Sequence, residues 1–200
     1  MMQPFRAALE EHQGVMSHVL ELLAVHFEPA VSLLESTILS GGKILVCGNG
    51  GSAAHAQHLA TELSVRYLTD RPPIAAIALA NDAPTLTATA NDYTFQDVFR
   101  RQVQALGRSG DALVAFSTSG ASHNVLTAIM AAQHQGVATL GLSGFKGMKV
   151  PPDVDLNVPS TSTPRIQEAH TFLIHVLCEE LDRRGANSSR ASHFSSPEPG

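Results

Sequence analysis

Apolar positions along the chain follow two different periods. Between residues 4 and 40 they recur at helical spacing, at Val15, Val19, Leu22, Leu23, Val31, Leu34 and Ile38, which predicts a helical segment. Pro29 is expected to divide or kink it, because the proline ring clashes with the preceding turn. Gly41-Gly42 stop that helix, and residues 43–47 form a short apolar run that reads as a buried strand. Further strand-like runs follow at 74–79, 112–116, 138–142 and 155–158. Helical stretches separate them, over about 51–67, 85–90, 94–106 and 122–135, and a last one runs over 164–182. Strands alternating with helices predict an α/β fold, a doubly wound parallel sheet with helices on both faces. A helix ahead of the first strand has no place inside such a sheet. It is expected to pack outside it or against another subunit, which makes 1–40 an oligomerisation segment, 41–185 the α/β domain, and the Ser-rich 186–200 a disordered tail.

In parallel sheets ligands collect beyond the carboxyl ends of the strands. Two of those ends are unusual here. The first carries Gly48-Asn49-Gly50-Gly51-Ser52 and opens directly into a helix. Its backbone N–H groups and the helix dipole make a site for an anion, most often a phosphate. The glycine spacing fits neither a Lys-Ser/Thr phosphate loop nor a GxGxxG fingerprint, and a plain Gly-rich turn would look the same. The second end, Ser117-Thr118-Ser119-Gly120-Ala121-Ser122, is rich in hydroxyl donors and favours the phosphate. Two hundred residues suit one domain, and a net charge of -5 argues against a general nucleic-acid binder. Cys47 and Cys178 form no CxxC pair and suggest a reducing compartment. With no apolar run of transmembrane length and no signal-peptide pattern, the chain is expected to be cytoplasmic and free of the membrane.

His58 and Glu62 are four apart and share one helix face, a turn or two beyond the Gly-rich entry. Glu62 could serve as a general base and His58 as a metal ligand or orienting group. His55 lies on the same face and competes with His58 for that role. The last helix holds Gln167, His170 and His175 in an otherwise apolar run. A histidine in such a run is a core residue unless a second titratable group meets it. HExxH and Gly-x-Ser-x-Gly are both absent, so Ser117 and Ser119 are better assigned to binding than to covalent catalysis.

The order and spacing of several separated motifs resemble the sugar isomerase (SIS) family, and within it the phosphoheptose isomerases. The motifs are Cys-Gly-Asn-Gly-Gly-Ser, His58-x-x-x-Glu62-Leu, Arg71-Pro72, Ala90-Asn91-Asp92, Ser-Thr-Ser-Gly, and Arg165-Ile166-Gln167-Glu168 with His175. The resemblance spans residues 41–182 and implies a flavodoxin-like three-layer sandwich. It implies a homotetrameric aldose–ketose isomerase that converts sedoheptulose 7-phosphate to D-glycero-D-manno-heptose 7-phosphate through an enediol(ate). On the matching positions, Asn49, Gly50, Gly51, Ser52, Asn91, Asp92, Ser117, Thr118, Ser119, Ser122 and Gln167 would bind the sugar phosphate along with Glu62. Glu62 and His175 would be the acid/base pair, and His58, Glu62, Gln167 and His175 the ligands of a zinc ion. Ala121 stands where the family often has Asn, which removes a polar contact. Relatives that act as adaptors for the bacterial replication initiator lose the catalytic pair, whereas Glu62 and His175 are both present. Sugar-phosphate-sensing regulators of the family usually add a DNA-binding domain, for which this chain is expected to have no room.

Overall fold

Each of the five expected strand runs forms a strand. The computed structural model describes residues 2–194. Within it β1 (Ile44–Cys47), β2 (Ala76–Ala78), β3 (Ala112–Ser117), β4 (Ala138–Ser143) and β5 (Val154–Asn157) make one all-parallel sheet, ordered β2-β1-β3-β4-β5. β1 is paired on both sides: Ile44 is in register with Ala76 on one side and Ala112 on the other. All four residues of β1 and all six of β3 are buried, so these strands read as continuous apolar runs and not as an alternation. β2 is shorter than the expected run because it sits at the sheet edge just after Pro72-Pro73, which lack N–H donors.

Alternate strand residues feed two cores. Ile44, Val46, Val114, Phe116, Leu140 and Leu156 face α1 (Gln3–Leu39), α2 (Gly51–Ser64) and α6 (Thr163–Phe194). Leu45, Cys47, Leu113 and Ala115 face α4 (Arg100–Leu106) and α5 (His123–His134), with α3 (Ala83–Asp92) alongside. The result is a three-layer α/β/α sandwich. The stretch expected as one helix over 94–106 is split into a 3-10 turn, Phe95–Asp97, and α4, with Val98 and Phe99 turned into the core between them.

The N-terminal segment departs from expectation in two ways. Ala30, Val31 and Leu34 are fully buried in the same core as Phe116 and Leu140, so the second half of α1 is a layer of the domain and not an appendage. The bend also lies elsewhere. α1 turns by 70° between its arms Gln3–Glu21 and Ala24–Leu39, ahead of Pro29, which sits within the second arm. Proline removes the donor for the Val25 carbonyl, but Val25 is exposed, so that carbonyl need not find a partner within the protein. The first arm follows α6 instead: His12 Nδ1 lies 2.7 Å from Glu168 Oε2, and Arg165 donates to the Ala8 carbonyl. No single helix among the described residues is long and apolar enough to cross a membrane. At the other end, α6 continues to Phe194, past the expected stop at 182, because a lone Gly185 costs a helix only about 1 kcal/mol. Of the expected tail, residues 195–200 lie outside the described residues.

Candidate active site

β1 and β3 are neighbours whose connections leave in opposite directions, β1 toward β2 and β3 toward β4. This is the switch point of a doubly wound sheet, where a crevice opens beyond the carboxyl ends. Both unusual loops are there. Gly50 caps α2 with φ 55° and ψ -120°, a backbone that side-chain-bearing residues rarely adopt. The N–H groups of Ser52 and Ala53 turn back onto the carbonyls of Asn49 and Gly50. Across the crevice, Ser117 Oγ donates to Ser122 Oγ at 3.0 Å, and Ser119 Oγ accepts from the Ala121 N–H. Thr118 stands between them in the same loop.

One contact that sequence reasoning missed ties the loops together. Asn49 and Asn124 exchange side-chain amide hydrogen bonds of 2.9 and 2.8 Å, and Asn124 is buried in the first turn of α5. The only signal was its position, two residues past the Ser-rich loop. Asn91 and Asp92 bond to each other at the exposed end of α3, and no hydrogen bond among the described residues joins them to the two loops.

Below the crevice, α2 and α6 lie side by side. At the entry level, a Cβ on Gly51 would stand 2.3 Å from Gln167 Nε2, so the absence of a side chain at Gly51 is what lets the Gln167 amide lie there. One level down, His55 Nε2 lies 3.1 Å from Thr171 Oγ1, and the His55 ring packs against Phe116 and His170. His170 is fully buried, with Nε2 3.2 Å from the Ser143 carbonyl, and burial pushes its pKa down to about 4. Burial, and then the neighbouring His58, also lower that of His55. Both are therefore neutral residues of the helix seam.

The next level holds the chemistry. His58, Glu62 and His175 present ligand atoms within 4.8 Å of one another. His58 Nε2 is 3.1 Å from Glu62 Oε1 and 3.4 Å from His175 Nε2, so it touches both. The side chains of His58 and Glu62 are 33% and 22% exposed, which leaves them open to a ligand. Tyr67 stacks on His175 with ring centroids 5.7 Å apart, a partner the sequence did not reveal. Of the four residues expected to gather here, Gln167 stands apart, against Gly51. His175 meets a second titratable group while His170 does not, and this separates the two histidines of α6.

Comparison with known proteins gives one consistent answer. The SIS domain model matches residues 9–144. The phosphoheptose isomerase of Campylobacter concisus is 51% identical over 87% of this chain and 93% of its own length. That of Helicobacter pylori strain Shi470 is 48% identical over 89% and 94%. Among solved structures, the phosphoheptose isomerase of Neisseria gonorrhoeae superposes with a TM-score of 0.85 at 42% identity, covering 92% of this chain and 100% of that one. On the sheet order, the crevice and this similarity over nearly its whole length, the chain belongs to the SIS-domain family, among the phosphoheptose isomerases.

Proposed function

We propose that Glu62 and His175 are the proton-transfer pair with which this chain, as a member of the phosphoheptose isomerases, interconverts sedoheptulose 7-phosphate and D-glycero-D-manno-heptose 7-phosphate for heptose biosynthesis. The observation that carries the reading is the meeting of His58, Glu62 and His175 within 4.8 Å, beneath two donor-rich loops. A ketose–aldose exchange moves a proton between C1 and C2 and another between the two oxygens, by way of an enediol(ate). Glu62 is the base at carbon, and His175 delivers and recovers the proton at oxygen. His58, in contact with both, orients the carboxylate. The phosphate sits on Asn49 to Ser52 and the hydroxyls of Ser117, Thr118, Ser119 and Ser122. Asn91, Asp92 and Gln167 bind the sugar.

The donor set also suits zinc, for which two imidazoles and a carboxylate are ordinary ligands. Held by His58, Glu62 and His175, with Gln167 reaching in from the Gly51 level, such an ion would polarise the substrate carbonyl. Phe5 and Leu9, at 72% and 56% exposure on the first arm of α1, support burial against other copies in a homotetramer. We place the enzyme in the cytoplasm.

Coupled assay of sedoheptulose 7-phosphate turnover tests the pair. Glu62→Gln and His175→Ala should each lose at least ~100-fold in kcat while substrate still raises the melting temperature. Near-normal turnover in either variant removes that residue from its role. Loss of substrate binding together with bound zinc in Glu62→Gln would make the carboxylate a ligand and not a base. Light scattering on the same samples should give a tetramer, and a stable monomer at micromolar concentration would defeat that assignment.

A further inference from the structure

The contact in the cluster that spans the two helices is the 3.4 Å approach of His58 on α2 to His175 on α6. What holds the helices at that separation lies outside the cluster. α2 ends at Ser64, so the carbonyls of Glu62 and Leu63 are among the last four of the helix, which have no partner within it. Arg71 reaches both: Nη2 donates to the Glu62 carbonyl and Nη1 to the Leu63 carbonyl, each at 2.8 Å. Its Nε donates to Asp182 Oδ1 on α6 at 2.6 Å. Thr69 Oγ1 donates to the other oxygen, Asp182 Oδ2, at 3.2 Å. The side chains are enclosed, 14% exposed for Arg71 and 7% for Asp182. A cation at the C-terminus of α2 is also favoured by the helix dipole.

Asp182 and His175 are seven residues apart on α6, two turns along one face and roughly 10 Å down the axis. One guanidinium therefore grips the backbone of Glu62 itself and, through Asp182, the helix that carries His175. Gln167 packed on Gly51 closes the same pair of helices at the opposite end. We propose that Arg71 and Asp182 are positioning residues that fix the spacing of Glu62 and His175, an inference that rests on reading those two as the acid and base. The grip needs a planar fork with several donors. A lysine has the charge but a single flexible ammonium, so it cannot hold the two carbonyls and the carboxylate at once.

The test is steady-state kinetics on the full chain for Arg71→Lys, Asp182→Asn, their double variant, Glu62→Gln, and Asp111→Asn as a control. Asp111 forms a buried ion pair with Lys43 at the amino end of the sheet, outside the α2–α6 seam. Arg71→Lys and Asp182→Asn should each lower kcat about 10-fold or more, with KM held within about threefold. The double variant should be little worse than either single one, because both break one link. Asp111→Asn should lower the melting temperature yet keep kcat. Normal kcat in Arg71→Lys and Asp182→Asn beside an inactive Glu62→Gln would overturn the positioning role. So would an equal fall in Asp111→Asn, which would mark a general loss of stability, or a fully additive double variant. An active Glu62→Gln would instead defeat the reading of the site, and this inference with it. If Arg71→Lys does not fold, Asp182→Asn decides alone, since it keeps shape and volume.

Discussion

The two faces of the sheet are built from alternate residues of the same strands, yet they carry different chemistry. On one face, His55, His58, Glu62, His170 and His175 line the seam between α2 and α6. On the other, α4 and α5 bury Val103, Val125, Ile129 and Ala132, and among the described residues they bury no histidine or carboxylate. The sheet itself does not cause the difference, because both faces present it with apolar residues. The seam does. Two parallel helices leave a groove above their sheet-facing sides, where imidazoles can pair with each other, with Thr171 or with a carbonyl. α4 and α5 also pack against each other, but the residues between them are apolar and offer an ionisable group no such partner, so burying one there would incur the full desolvation cost. The far face reaches the site through the first turn of α5, by its N-cap Ser122 and by the Asn124–Asn49 amide pair.

That contrast can be broken at the amide bridge. Asn124→Ala should leave the amide of Asn49 without its partner and loosen the Gly-rich loop, a loss of about 1–3 kcal/mol in stability. On the proposed role of the loop in binding and not in proton transfer, KM for sedoheptulose 7-phosphate should rise by about tenfold while kcat stays within about threefold. A fall in kcat with unchanged KM would mean that the far face takes part in the chemical step, and the division between the faces would not hold.

The fold was largely legible because every strand except β5 (Val-Asp-Leu-Asn) is an apolar run bounded by turn residues, and buried parallel strands need nothing subtler. The loops were legible for a similar reason: Gly50 requires a backbone that only glycine adopts readily. The choice between His55 and His58 was not. Both lie on Glu62's face of α2, and what separates them is α6, which offers His55 a threonine and a phenylalanine-lined seam but offers His58 another imidazole. That pairing joins residues more than a hundred positions apart, and no local period encodes it. Arg71 was hidden in the same way. Its motif with Pro72 was visible, but its partners Glu62, Leu63 and Asp182 depend on how α2 ends beside α6. α1 misled because one amphipathic pattern serves two surroundings, the sheet for its second arm and α6 for its first.

The smallest effect, and the most selective for the seam, concerns protons. His170 is held neutral by burial, its pKa pushed from 6.5 to about 4 in the folded chain. Between those values the unfolded chain binds a proton that the folded chain refuses. Stability from this group is therefore whole above pH 6.5 and is lost as pH falls toward 4. One such proton contributes a slope of at most about 1.4 kcal/mol per pH unit. His170→Gln keeps a donor for the Ser143 carbonyl but removes the titration, so its melting temperature should fall less steeply with acidity than that of the parent. Some slope will remain, because burial also lowers the pKa of His55 beside it. Parallel curves for the parent and His170→Gln would mean that His170 is not a buried neutral imidazole.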